Sequence, residues 1–358
     1  MSMTTVPGFK HFETLHCVTG SMRHAYAWAG HDLSEELLLG LGEGLGFCYF
    51  RFKGQLPFLG GRAQPKPSME EMACGRLGVK VERKHPSSDA AAAKSLLSEL
   101  DSGRPVMLQV DMGFLPYFDF GGQDYHFGGH VIAVCGRDSA SGELLVADRD
   151  APLHPVSASA LAAARSSRYK PFPPGRAWWS YDFASLREPR PEELAAAISA
   201  QALGMLEPPI ANLGVKGIGK AAAECVKWPD LLEPGKLAAT LFNIYIFVSA
   251  KGGSGGGLFR YMFGRFLAEA AALGRALGAP EGAGAFAPAF AAIGDAWEEA
   301  AELCRAASEG SGMDEKAAKA VLPELSKRLA VIGELEGKAW RELAASLTGQ
   351  GLAKAIII

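Results

Sequence analysis

The residues of this chain best suited to chemistry are a cysteine near its start and a histidine and an aspartate far along it. Cys17 lies in GFKHFETLHCVTGSMRHAYAW, residues 8–28. There an extended segment gives way to a helix, because Met22, Ala25, Tyr26 and Ala29 recur at intervals of three and four. This spacing puts Cys17 in or just before the first helical turn. Unpaired N–H groups and the positive end of the helix dipole favour thiolate over thiol at that place, lowering a pKa that starts near ~8.5. A cysteine is as readily a small buried hydrophobe, so the chemical reading needs a base.

The base is offered by HFGGHVIAVCGRDSASGELLVADRD, residues 126–150. Two apolar runs flank the polar loop DSASG, which is the pattern of a hairpin. With the loop centred near Ser139, antiparallel pairing sets Val134 opposite Leu144, Ile132 opposite Val146 and His130 opposite Asp148. Directly opposed residues share a face, so the imidazole and carboxylate are expected to be neighbours. An Asp beside a His fixes its tautomer and stabilises the imidazolium that a thiolate requires. The alternative is a cross-strand surface pair that serves no reaction, and it predicts no cysteine nearby.

The elements that must position these groups follow in order. HDLSEELLLGLG places Asp32 three residues before Glu35, the signature of a capped helix start. GEGLGFCYFRF then forms an aromatic strand, and its glycines stand in the wrong order for a phosphate loop. MEEMACGRLGVKVERK and SDAAAAKSLLSELDSGRPVMLQVDM each read as helix, glycine turn and strand. VSASALAAARSS is expected to be a helix, and AWWSYDF a last strand. Past REPRPEE the composition turns to Ala, Leu and Glu in successive amphipathic helices. The boundary is placed near Leu186, giving domains of residues 1–185 and 186–358.

Several long stretches resemble a known family. HCVTGSMRHAYAWAGHDLSEELLLGLGEGLGFCYFRF, GRPVMLQVDMGFLPY, GGHVIAVCGRD and LLVADRD are similar to the amino-terminal domain of butirosin biosynthesis protein H. NLGVKGIGKAAAECVKWPD and GGSGGGLFRYMFGRFLAEAA are similar to the helical domain that commonly follows it. The resemblance implies an α+β, papain-like cysteine-enzyme domain with an antiparallel sheet, followed by a mainly α-helical domain. It also implies acyl transfer, in secondary metabolism, from a carrier-protein or small thioester donor to an amine acceptor. By position, Cys17 would be the nucleophile, His130 the base and Asp148 its orienter, with no cofactor. Papain-like enzymes usually carry an oxyanion-hole Gln about six residues before the cysteine, where this chain has His11. The same groups could serve an amidase or peptidase, and a non-catalytic binding protein on the same scaffold is the rival from another class.

Weaker candidates surround this core. Asp111 and Tyr117, at a strand end and in the aromatic loop after it, could touch a polar substrate. His126 and His130 are spaced like helical zinc ligands, but the intervening glycines forbid a helix and no metal is expected. His16 is expected to point away from the thiol and to be structural. In the second domain, the GIG of NLGVKGIGK suggests a phosphate-binding turn before a helix, and a glycine nest beside Arg260 could receive a phosphate.

Of 358 residues, 48% are hydrophobic and 21% charged, as in globular proteins, and the net charge of −3 offers no general attraction to nucleic acid or anionic membrane. Six scattered cysteines without a CxxC, and a start lacking an apolar run, suggest neither a disulfide framework nor a secretory signal. A reduced, cytoplasmic setting is expected, with the helical bundle as a possible homodimer face. Leu237–Ala250 is the longest apolar stretch and is too short to span a bilayer.

Overall fold

A computed structural model of the chain describes residues 3–52, 54–62, 67–122, 124–138, 140–277, 281–308 and 315–348. One compact unit runs to Leu38 and resumes from Leu77 to Arg187; the other takes Leu39–Arg76 and the chain from Glu188 on. In sequence order the elements begin with β1 (Met3–Thr5), α1 (Cys17–Trp28), α2 (Glu35–Leu41), β2 (Cys48–Phe50), β3 (Phe58–Gly60) and α3 (Met69–Arg76). There follow β4 (Lys80–Lys84), α4 (Asp89–Asp101), β5 (Val106–Val110), β6 (His130–Asp138), β7 (Leu144–Ala147), β8 (His154–Val156), α5 (Ala158–Ser166) and β9 (Trp178–Asp182).

The first unit is α+β, with an antiparallel sheet in the order β4-β9-β5-β6-β7-β8 and β1 added along β6. β6 is central and buried throughout nearly its whole length. On one face Leu108, Ile132, Val134 and Val146 pack with Leu96 and Leu100 of α4 and Leu161 of α5. Each fully buried side chain of this kind contributes roughly 1.5–3 kcal/mol. Ala133, Cys135, Leu145 and Ala147 form a second buried cluster, as the two-residue alternation of the strands requires. Helix α4 starts on the Ser88 hydroxyl, which accepts from the Ala91 N–H, and the chain leaves it through Gly103 at φ +76°. The glycine turn is the helix end expected of that stretch, and the Ser88 cap supplies its start.

The β6–β7 register differs from the expected one. Arg137 pairs with Leu144 and Gly136 with Leu145; beyond a bulge at Cys135, Val134 pairs with Val146 and Ala133 with Ala147. Asp138 is the cause. Its Oδ1 accepts from the Ala140 N–H at 2.7 Å, its own N–H donates to the Glu143 carbonyl at 2.8 Å, and Gly142 turns at φ +74°. The loop therefore closes further along than a turn centred near Ser139, a residue outside those described. Continued one step past Ala133 and Ala147, this register sets Asp148 beside Ile132, diagonal to His130 on the same face.

The second unit contains the rest of the helices: α6 (Pro191–Leu206), α7 (Gly214–Cys225), α8 (Lys236–Val248), α9 (Arg260–Leu277), α10 (Ala287–Ser308), α11 (Glu315–Ala320) and α12 (Leu322–Thr348). Residues 39–76, which the sequence reading groups with the first domain, belong here. The β2–β3 hairpin forms its own two-stranded sheet. It is fastened by a Tyr49 N–H bond to the Asn212 carbonyl at 2.8 Å and by Phe47 stacked on Trp297 at 5.6 Å. Leu45 donates to the Gln201 side chain at 3.3 Å. These partners lie more than a hundred residues away, so hydrophobic alternation within the strand could not reveal them.

Two phosphate-binding expectations are corrected here. Gly217, Ile218 and Gly219 lie inside α7 rather than in a turn before it, so their N–H groups are spent on the helix ladder. Gly217 is small for packing: a Cβ there would stand 2.4 Å from the Asn212 carbonyl oxygen. Arg260 is wholly buried, with Nε on Glu336 Oε1 at 2.6 Å and Nη1 on the Leu258 and Gly46 carbonyls. The glycine nest is likewise filled from within, by Glu298 accepting from the Gly257 N–H at 2.6 Å. Trp297 and Trp340 donate to the two Glu336 oxygens at 3.0 and 2.7 Å. Arg260→Ala would strand this buried carboxylate, and unfolding in denaturant should show a loss of about 3–5 kcal/mol.

Leu237, Leu241, Ile244 and Val248 of α8 are buried, as expected of that stretch. Among the described residues no helix is long and apolar enough to cross a membrane.

Candidate active site

Cys17 opens α1, with His16 as the preceding cap residue in extended conformation, φ −133° and ψ 134°. The expected stripe of Met22, Ala25 and Tyr26 is buried. Cys17 is half-buried, whereas the other five cysteines are fully buried. Its sulfur lies in hydrogen-bonding reach of the His130 ring. His130 and Asp148 are buried, and His130 Nε2 donates to Asp148 Oδ2 at 2.7 Å. Since Nε2 faces the carboxylate, Nδ1 is the nitrogen left for the thiol. The structure thus brings Cys17, His130 and Asp148 together, by a diagonal rather than a direct strand pairing.

Asp148 receives more than His130. Oδ2 also accepts from the Tyr117 hydroxyl at 2.9 Å, and Oδ1 from the Arg149 N–H at 2.8 Å. Burial works to raise its carboxyl pKa, but His130 and Tyr117 outweigh it and hold the group below its ordinary 3.8. Tyr117 stacks on His154 at 3.9 Å between ring centres. A residue expected to meet substrate is therefore engaged in fixing the carboxylate. Burial, then Asp148, push the Tyr117 phenol upward, so it stays protonated and donates.

The electrostatics favour an ion pair. Burial alone would raise the Cys17 pKa, yet the neighbouring His16 and His130 rings bring it well below its ordinary 9.0. Burial alone would lower that of His130, yet Asp148 and Cys17 raise it to about 10. Both shifts favour thiolate with imidazolium over the neutral pair, and the two groups titrate together.

His16 does not point away from the thiol; its ring hydrogen-bonds to Cys17 as well. The extended cap backbone folds the ring over the first turn, where Nδ1 meets the Thr19 hydroxyl at 3.2 Å and the Thr19 N–H at 3.4 Å. The signal was available, because a residue immediately before a helix is a cap whose side chain turns inward.

Glu35 has a role other than the helix-capping one its spacing from Asp32 suggests. Ser34, not Asp32, caps α2, through the Leu37 N–H at 2.9 Å. Asp32 instead pairs with Arg23 at 3.1 Å. The buried Glu35 carboxylate accepts from the N–H groups of Leu15 and His16 at 2.6 and 3.0 Å and from the Thr19 hydroxyl at 2.7 Å. It holds both sides of the turn that carries Cys17. Glu35→Ala would leave three donors without their acceptor, and thermal or urea unfolding should show a loss of about 3 kcal/mol or more.

The segment before Cys17 is tied to the residues after Asp148. Thr14 N–H donates to the Arg149 carbonyl at 2.8 Å, and His11 Nε2 to that of Asp150 at 2.9 Å. Gly20 lets Thr14 lie against α1, since a Cβ there would come within 2.4 Å of the Thr14 hydroxyl. The His11 ring also stacks on buried His24, 5.2 Å between centres. With Nε2–H committed to Asp150, a neutral His11 has no second N–H to give to an oxyanion.

Asp111 is also structural. It is fully buried and accepts from the Gly113 and Phe127 N–H groups, each at 3.0 Å, from the Ser167 hydroxyl at 2.5 Å and from His126 Nδ1 at 2.9 Å. A carboxylate so filled organises the loop around it and has no oxygen left for a substrate. His126 also meets Asp124 and stacks on Tyr169.

Two family models match consecutive stretches of the chain. Residues 16–149 match the family described as butirosin biosynthesis protein H, N-terminal, and residues 159–348 match a domain of unknown function, DUF4872. No curated protein matches the chain. The second match alone takes in more than half of the chain, the two occur in the order that defines the family, and the first contains Cys17, His130 and Asp148: the chain belongs to the two-domain family of butirosin biosynthesis protein H.

Proposed function

We propose that this protein is a cysteine acyltransferase that takes an acyl group from a thioester and gives it to an amine. A thiol at the start of a helix, facing a histidine and aspartate of an antiparallel sheet, is the arrangement of papain-like enzymes, and the first unit is read as that fold. The observation that carries the reading is the placement of Cys17 against a His130 ring whose other nitrogen is held by Asp148.

Cys17 Sγ attacks the thioester carbonyl carbon and forms a tetrahedral oxyanion. As the C–S bond to the donor breaks, the departing thiolate takes the His130 proton, leaving acyl-Cys17 and a neutral imidazole. The amine then attacks the same carbon and yields its proton to His130, and Cys17 leaves as thiolate. Amide, donor thiol and the starting ion pair result. Backbone N–H groups at the start of α1 serve the oxyanion.

The test uses an acyl N-acetylcysteamine thioester as donor and mass spectrometry of the intact protein. One acyl adduct is expected, on Cys17, discharged faster by an amine than by water. Discharge by water alone would make the protein a hydrolase, and absence of an adduct at saturating thioester would favour a binding module.

A further inference from the structure

The Cys17 site holds a second imidazole that the acyl-transfer steps do not use. The His16 ring, only 5% exposed, hydrogen-bonds to the Cys17 side chain. Behind it stand a hydroxyl and a carboxylate. His16 Nδ1 meets Thr19 Oγ1 at 3.2 Å, and that hydroxyl donates to Glu35 Oε2 at 2.7 Å. Thiol, imidazole and carboxylate thus occur twice in this site, once as Cys17, His130 and Asp148 and once as Cys17, His16 and Glu35, with Thr19 interposed in the second.

The hydroxyl fixes a proton in the second set. Thr19 has one hydroxyl proton and gives it to the carboxylate, so toward His16 its oxygen offers only lone pairs. Their contact is a hydrogen bond only when Nδ1 carries a proton. The Thr19 N–H also meets Nδ1 and would need it bare, but from the longer distance of 3.4 Å. Glu35 is held by the Leu15 and His16 N–H groups as well, so it is anchored to the backbone that carries Cys17.

Burial works to raise the Cys17 pKa, and of the influences that oppose it the attraction of His16 is the largest, ahead of the His130 hydrogen bond. The titratable groups that face the sulfur are His16, from its own segment, and His130, from β6. Glu35 of α2 backs the first, and Asp148 with Tyr117 backs the second. The two rings differ in what the reaction asks of them. His130 gives its proton to the departing donor thiolate and regains one from the amine, whereas neither transfer needs His16. When the amine displaces the acyl group, the C–S bond breaks and its electron pair returns to Sγ, where a ring that has kept its proton can meet the charge.

We propose that His16, backed by Thr19 and Glu35, is a second catalytic residue, which stabilises the negative charge on Cys17 Sγ whether or not His130 holds a proton. This inference rests on the reading of Cys17 as the nucleophile.

Alkylation of Cys17 by iodoacetamide as a function of pH, followed on the Cys17 peptide of each variant, tests it without any acyl donor. Asn is itself a strong N-cap, so His16→Asn should keep α1 and the melting temperature of the parent chain. The midpoint of its alkylation profile should nevertheless rise by about one pH unit or more. His130→Gln should lose acyl transfer while its Cys17 still titrates below the ordinary ~8.5, and this variant decides the matter should His16→Asn not fold. The proposal is overturned if a folded His16→Asn titrates within about 0.3 of the parent midpoint, or if Cys17 of His130→Gln titrates at ~8.5 or above. In both cases a lowered parent midpoint leaves the acyl-transfer reading standing. A parent thiol that itself titrates at ~8.5 would contradict that reading, and this inference with it.

Discussion

Cys17→Ala should leave the fold intact and lower acyl transfer by at least about four orders of magnitude, because the only step that makes the acyl-enzyme is lost. The thiol is half-buried and its removal deletes one sulfur, so the unfolding midpoint should move little. Both quantities are needed. A variant that unfolds would lose activity for the wrong reason, whereas a folded variant without an acyl adduct places the chemistry on this sulfur. The other thiols should not substitute for it: burial pushes Cys48 and Cys225 up to about 11 and Cys135 up to about 12.

Asp148→Asn should lower turnover at neutral pH by about three to four orders of magnitude. The carboxylate accepts from His130, Tyr117 and the Arg149 N–H. An amide has one acceptor oxygen, so its NH2 must oppose one of these donors, and the ring loses its fixed tautomer. The pH profile gives a second reading. In the parent protein the active form needs thiolate and imidazolium. Activity should rise as pH passes the lowered Cys17 pKa and fall through the His130 value of about 10. Without Asp148 only Cys17 is left to oppose the lowering effect of burial on His130. Its proton is then lost nearer neutrality, the thiolate loses that cation, and the active window narrows from both sides. The carboxylate also affects stability with a definite sign. Because its folded pKa lies below 3.8, its contribution is full above that value and is lost as pH falls through the folded one.

What could be read from the sequence was local or periodic. The Met22, Ala25 and Tyr26 stripe placed Cys17 at a helix start, and the apolar runs around DSASG placed His130 and Asp148 on neighbouring strands. Face is conserved under a register shift of two, which is why the His130–Asp148 pairing survived an error in register that the Asp138 turn and the Cys135 bulge introduced. What escaped was decided by distant partners. Arg260 follows glycines, as a phosphate-binding arginine would, but Glu336 claims it from 76 positions away. Glu35 has the spacing of a capping residue, yet its acceptor capacity is used by Leu15, His16 and Thr19. Asp111 and Tyr117 read from the sequence as groups for a polar substrate at a strand end and the loop after it, but which polar group each meets depends on how loops close. The β2–β3 hairpin was visible as an aromatic strand, while its membership in the second unit rests on Asn212, Gln201 and Trp297.

The most direct test is the rate at which iodoacetamide alkylates Cys17 as a function of pH, read peptide by peptide. A thiolate held by His130 should label far faster than the five buried cysteines, at a rate that levels off well below the pH at which an ordinary thiol ionises. Labelling of Cys17 that is no faster than that of an ordinary thiol, and that climbs only through pH ~8.5, would contradict the ion pair on which the proposed chemistry rests.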